Sequence, residues 1–241
     1  MLVYLSGQWF AFSPLGEFVK AYLLGRYNVQ FKRASSTIVV QVLIDFVSLA
    51  MLGSFTLIWY PALAYLVLPF SFLLFLGVAL LHNERFWKAL DRFQQRFSLP
   101  RKLGFSWDSA LRDLRVLTSP RSLLVGLALG LPTALLGSAS LLLVAIGYSA
   151  QVNIEQSAFV YSLSQLLGAM SFLPHGLGAV EGSSMALFIH IGLDDAALAA
   201  AVIALFRLAS LVWGVGIGGM TLLALPFVHA PTARPVFEAE V

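Results

Sequence analysis

Four charged residues stand where an otherwise apolar chain has little reason to carry charge: Glu17, Asp45, Glu181 and Arg207. Arg207 lies eleven residues into the apolar run that begins at Ala196, and Asp45 lies eleven residues into the run that begins at Ala34. A charge at mid-bilayer costs about 3 kcal/mol on insertion scales, so such residues usually face a bundle interior and find a partner. An arginine at that depth suits an anionic group, for which a lipid phosphate is the obvious candidate. Asp45, with Gln41 one turn earlier, fits either a polar pair that fixes helix packing or a wall of a polar path. Glu17 and Glu181 sit at glycine-rich breaks. There a carboxylate can meet a cationic headgroup, relay a proton, or hydrogen-bond the amides freed by the break. Plain N-capping at the positive end of a helix is the simpler role.

No catalytic or metal-binding set accompanies these charges. Cysteine is absent, which excludes disulfides. The four histidines, His82, His175, His190 and His229, lack metal-ligand spacing. There is no phosphate-binding Walker loop, no zinc motif and no nucleophile elbow. The chain is therefore expected to be no enzyme and to use no cofactor and no metal.

The elements that must position the charges are membrane helices. Of the 241 residues 59% are hydrophobic and 11% are charged, and the mean hydropathy is +0.85. Soluble chains carry about 25% charged residues, so the composition points to an integral membrane protein. A spanning helix needs about 20 apolar residues. Four runs qualify: 34–58, 60–81, 123–148 (interrupted by Pro132) and 196–223. A fifth, 156–173, is shorter and stops at Pro174. Between the second and third lies a basic loop, 82–122, with nine Lys/Arg against four acids. The positive-inside rule places it in the cytoplasm. Its aromatic and basic residues at helical spacing also suit contact with an anionic inner-leaflet surface. The pI near 9.3 thus reflects membrane orientation and not nucleic-acid binding. The segment 174–195 carries no Lys or Arg although this topology brings it to the inner side, which suits a dip back into the membrane or a broken helix.

The segments around Glu17 and Glu181 correspond to one another. Each has an aromatic residue, then Pro14 or Pro174, then glycine and glutamate, with Gly16 before Glu17 and Gly176, Gly178 and Gly182 around Glu181. A half-length helical segment follows, then a spanning run with one central charge. Glu17 precedes Asp45 by 28 residues and Glu181 precedes Arg207 by 26. Paired interrupted segments of this kind point to a binding site between repeats, and irregular backbone is tolerated at membrane depth only where protein or a wet cavity surrounds it. Related by a pseudo-two-fold axis, Asp45 and Arg207 would face one cavity and could pair directly. The prolines and glycines are expected to shape the loops. Gly214, Gly216, Gly218 and Gly219 are expected to form a packing face.

The run LPHGLGAVEGSSMALFIHIGLDDAALAAAVIALFRLASLVWG resembles the C-terminal signature of the lysylphosphatidylglycerol synthase/flippase transmembrane family. SPLGEFVKAYLLGRYNVQFKRASSTIVVQVLIDFVSLAML resembles that family's first signature. The resemblance implies an inner-membrane protein that moves a phospholipid, such as an aminoacylated phosphatidylglycerol, between leaflets. Relatives are associated with polyprenyl-linked glycans or hopanoid lipids, so the lipid itself does not carry over. On matching positions Glu17, Asp45, Glu181 and Arg207 would line the lipid path. This chain has Val42 where many members place an arginine, begins about two spans later than members usually do, and lacks a soluble aminoacyl-transfer domain, so it is not expected to be the synthase.

These observations lead to an all-α, polytopic transmembrane bundle of five or six spans with two re-entrant or broken half-helices in a duplicated unit. The whole chain, 1–241, forms one membrane domain. Its first repeat covers about 10–60, its second about 156–223, and 226–241 is a polar tail. A lipid flippase-like activity in the cell inner membrane is expected, with membrane lipids as partners. The alternatives are an accessory subunit that docks a lipid- or glycan-modifying enzyme, and a secondary transporter of small solutes.

Overall fold

The structure, a computed structural model, describes residues 31–83, 119–171 and 173–228. Helix α1 runs Phe31–Thr56, and a 3-10 turn at Pro61–Leu63 leads into α2, Ala64–His82. Beyond the basic segment come α3, Pro120–Gly147, and α4, Ile154–Met170; a second 3-10 turn, Pro174–Gly176, precedes α5, Ala179–His190, and α6 covers Ala196–Val228. Among the described residues there is no strand. The helices follow the apolar runs, and local chemistry sets their ends. Ser119 caps α3, with Pro120 at its first position. Asn153 and Gln156 form a reciprocal capping box at the start of α4. Gly192, at φ 105°, ends α5, where Leu193 N–H reaches back to the Phe188 carbonyl at 3.0 Å. The Asp195 carboxylate accepts from the amides of Ala197 and Leu198 at 2.9 and 3.0 Å, which starts α6.

Pro132 does not interrupt the third apolar run: α3 continues through it. One backbone bond is lost there, and the Thr133 hydroxyl donates to the Leu129 carbonyl at 2.9 Å in the same turn. A hydroxyl placed in this way is one means by which membrane helices tolerate proline. Pro69 is held inside α2 likewise, beside Ser71, whose hydroxyl contacts Ser54 of α1 at 3.0 Å and the Val67 carbonyl at 3.1 Å.

Stretches within α1, α3 and α6 are long and apolar enough to cross a membrane: Thr37–Thr56, Pro120–Gly147 and Ala196–Thr221, whereas the apolar stretch Pro61–Gly77 is shorter. Their outward faces carry large exposed apolar side chains such as Leu129, Leu136, Trp213 and Leu223. Such surface is stable only in hydrocarbon or against another protein. The protein is an all-α, polytopic helical membrane protein.

Helix α4 is the centre of the bundle. It packs against α1, α3 and α5, while α6 lies on α5 and α3. Phe159, Val160 and Leu163 of α4 are fully buried with Phe188 of α5 and Ala199 and Val202 of α6. Small residues let the backbones approach: Gly53 of α1 lies over Ser162, and a Cβ on Gly137 of α3 would collide with the Tyr161 ring. The serines of α4 satisfy themselves on carbonyls. Ser157 reaches across to the Ser138 carbonyl of α3 at 2.6 Å, and Ser162 and Ser164 bond one turn back. Among the described residues a Cβ on Gly214 or Gly216 of α6 would meet no atom within 4 Å.

Helices α4 and α5 form an antiparallel hairpin. At its open end Gln156 Nε2 donates to the Ile191 carbonyl at 3.2 Å. At its tip Gly168 lies against Gly176 and Val180. Tyr60, from the link between α1 and α2, stacks on Phe159 at 5.2 Å and hydrogen-bonds Gln156 at the open end. Burial, and then the nearby Glu155 carboxylate, push the Tyr60 phenol above its ordinary value. The first expected half-helix, with Pro14, Gly16 and Glu17, most of the basic loop 82–122 and all but the start of the polar tail lie outside the described residues.

Candidate functional site

The hairpin tip exists because the sequence there cannot remain helical. Ser171 closes α4 by donating its hydroxyl to the Gly168 carbonyl at 2.6 Å, and Pro174 follows. His175 and Gly176 then both take left-handed backbone, at φ 53° and 65°, and Gly178 takes φ 83°. For a histidine that conformation costs about 1–2 kcal/mol. It is associated here with one contact: Arg207 of α6 donates from an Nη nitrogen to the His175 carbonyl at 2.9 Å. A side chain on Gly176 would be strained, because at φ 65° its Cβ would lie 2.7 Å from Val180 and 3.1 Å from the Gly168 backbone.

Glu181 joins the tip to α6. One carboxylate oxygen, Oε2, accepts from the Gly178 N–H at 2.6 Å and caps α5. The other, Oε1, accepts from Arg207 Nε at 2.6 Å. The Arg207 side chain is 6% exposed and that of Glu181 32%. Arg207 is thus tucked under the tip, while the glutamate stands at the edge of the seam. A single carboxylate does two jobs. Its Oε2 bond belongs to the fold of α5, and its Oε1 bond is an ion pair with a guanidinium that retains further N–H donors. A buried pair of this kind contributes little net stability, yet removing one partner is expensive.

The two charges expected to pair, Asp45 and Arg207, do not form the central contact. Arg207 takes Glu181, 26 positions earlier in the chain. Asp45 is exposed and lines a groove between α1 and α3 together with Arg121. Tyr161 of α4 lies between the two regions, within electrostatic reach of both Asp45 and Arg207. Its ring meets Phe206, the neighbour of Arg207, edge-on at 6.1 Å. Sequence reasoning missed Tyr161, although a tyrosine among Ser157, Ser162 and Ser164 in an apolar run was a usable signal. Arg121 was counted only as part of the basic loop. Pro174, Gly176 and Gly178 shape the break, whereas Gly182 sits within α5 with open space beside it. Pro14, Gly16 and Glu17 lie outside the described residues, and among the described residues no group of His, Cys, Asp or Glu could hold a metal.

Comparison with known proteins agrees with this architecture. Residues 3–219 match the family model described as the lysylphosphatidylglycerol synthase TM region. The chain is 24% identical over 246 residues to a "UPF0104 membrane protein" of Methanothermobacter thermautotrophicus, an alignment covering 92% of this chain and 72% of the relative. No solved structure matches. A match over nearly the whole chain, carrying both the Pro-Gly break with Glu181 and the helix with Arg207, shows that the chain belongs to the lysylphosphatidylglycerol synthase transmembrane family.

Proposed function

We propose that this protein moves a phospholipid between the leaflets of the cell inner membrane, and that the Glu181–Arg207 pair is the contact that a lipid headgroup exchanges. The observation that carries this proposal is the pair itself, held at 2.6 Å under the tip of a Pro/Gly-broken hairpin. Helix α5 is roughly 18 Å long and Arg207 lies roughly 17 Å along α6. Both helices adjoin at the same end of the bundle, which puts the pair near the middle of a ~30 Å hydrocarbon layer. The hairpin is then re-entrant, entering and leaving on one side.

The geometry suggests an exchange. A phosphate diester is an anion that fits a guanidinium as a carboxylate does. When it displaces Oε1 from Arg207, Oε2 keeps its bond to the Gly178 N–H, so α5 remains capped while the tip is uncoupled from α6. Exchange therefore trades one ion pair of Arg207 for another and leaves the Glu181 carboxylate on the Gly178 N–H at the partly exposed edge of the seam. Arg207 also holds the His175 carbonyl, so a ligand on the guanidinium acts directly on the break. Helix α2 is taken to cross the membrane as well. The role is that of a carrier and not of a catalyst. The basic segment 82–122, most of it outside the described residues, would rest on the anionic inner surface.

Reconstitution into liposomes with a headgroup-labelled phospholipid tests the proposal. Quenching from outside should reach label in both leaflets with the wild-type protein, but only the outer half with R207Q. Label confined to one leaflet with wild-type protein would overturn the transport reading and favour an accessory subunit or a solute carrier.

A further inference from the structure

Helix α4 is sealed along its middle except at two positions. From Ser157 to Leu166 every residue is buried but Tyr161 and Gln165, which are partly exposed. They stand four residues apart, one above the other on a single face of the helix. The serines of this stretch are satisfied: Ser157 donates to the Ser138 carbonyl, Ser162 to that of Phe159 and Ser164 to that of Tyr161. Tyr161 and Gln165 make no side-chain hydrogen bond among the described residues. A phenol and a carboxamide without partners at the centre of a membrane bundle cost free energy unless something polar reaches them. The two unpartnered groups coincide with the breach in this stretch of the helix.

Their surroundings connect them to the seam. The Tyr161 phenol lies over Gly137 of α3, where a Cβ would strike its hydroxyl, and its ring meets Phe206 of α6 edge-on. Phe206 precedes Arg207, and Tyr161 is within electrostatic reach of that guanidinium. Gln165 lies one turn, about 6 Å, nearer the hairpin tip. The closed seam offers neither side chain an acceptor. Glu181 gives one oxygen to the Gly178 N–H and the other to Arg207, and the His175 carbonyl accepts from Arg207. A phosphate diester brings two non-bridging oxygens, one for the guanidinium and one for a phenol donor. Glu181 cannot supply the second while it caps α5.

We infer that Tyr161 and Gln165 bind the polar headgroup of a phospholipid, Tyr161 through a phosphate oxygen and Gln165 through the groups beyond the phosphate. This inference rests on the reading in which Arg207 takes the lipid phosphate, and it adds a direction to that exchange. Glu181 and a phosphate compete for one guanidinium on similar terms, so a swap of anions alone has little bias. The phenol is satisfied only with the ligand in place, which favours the loaded state by one charge-assisted hydrogen bond. A carboxamide both donates and accepts, so Gln165 takes a hydroxyl or an ammonium alike and sets no charge requirement on the headgroup.

Wild-type protein purified in mixed micelles of phosphatidylglycerol and diacylglycerol with identical acyl chains should retain the phosphate-bearing lipid in preference, read by native mass spectrometry. Y161F should lower that preference on the order of tenfold, and Y161F combined with Q165L should lower it further. Both variants should unfold at or above the wild-type temperature, because each deletes a polar group that has no partner. Excess glycerol 3-phosphate should leave the retained lipid in place. A preference lost in R207Q but unchanged in the Y161F, Q165L double variant overturns this inference and leaves the Arg207 reading standing. A preference that survives R207Q, or none in the wild-type protein, overturns both. A lower unfolding temperature in the double variant would make the two side chains packing residues, and displacement by glycerol 3-phosphate would assign the site to a soluble phosphate ester; either result overturns the inference.

Discussion

The hairpin seam and the α1–α3 groove each hold one acid and one arginine, and they treat them in opposite ways. In the seam the charges touch, at 2.6 Å, with the arginine side chain 6% exposed. In the groove they stand apart along parallel helices, and both are exposed. The seam consumes its charges internally: Glu181 caps α5 and Arg207 anchors the His175 carbonyl, so the pair is tied to the fold. The groove's two charges line an open volume between α1 and α3. Intramembrane charge by itself does not mark a binding site; whether the acid and the arginine touch is what separates the two regions.

Breaking the seam should have the largest effect. Glu181→Ala leaves the buried Arg207 without its counter-charge and removes the cap of α5. It should lower stability by about 3–5 kcal/mol, seen as a large drop in thermal unfolding temperature in detergent. A change no greater than that of an exposed-residue variant would mean that the seam is not closed in solution. Gly176→Ala attacks the same tip through its backbone. A side chain there has unfavourable φ and meets Gly168, so a loss of about 2–3 kcal/mol is expected by the same measurement. Tyr60→Phe removes one hydroxyl at the far end of the hairpin and should cost about 1 kcal/mol. Faster hydrogen exchange around Gln156 and Ile191 should accompany it, with the tip unaffected. The smallest effect on stability belongs to the groove: D45N, at an exposed residue, should shift unfolding by less than about 1 kcal/mol. A D45N variant as unstable as Glu181→Ala would erase the contrast between the regions.

Much of this organisation was legible in the residues. The apolar runs mark the helices, and Pro174 with its glycines declares the break. Glu181 and Arg207 stand out because charge in an apolar run needs a reason. Their mutual contact was not legible, because hydropathy describes a helix alone and says nothing about which neighbour faces it. The same limit favoured Asp45 as the partner of Arg207, through symmetry of position. Pro132 looked like an interruption because a soluble helix would break there, whereas a membrane helix is not offered water as an alternative partner. Gly168 gave no sign of its part in the tip, since a lone helical glycine resembles any other until a second backbone is laid against it.

The central claim is that the Glu181–Arg207 pair serves lipid movement and not only the fold, and a volume-conserving double replacement separates the two. E181M with R207M removes both charges together, and buried pairs replaced by packed apolar side chains commonly lose little stability. In liposomes with headgroup-labelled phospholipid, the double variant should stay folded, losing less stability than Glu181→Ala because no buried charge is stranded, and should leave the inner-leaflet label unreachable. Wild-type rates of label exchange in that stable, charge-free protein would contradict the account.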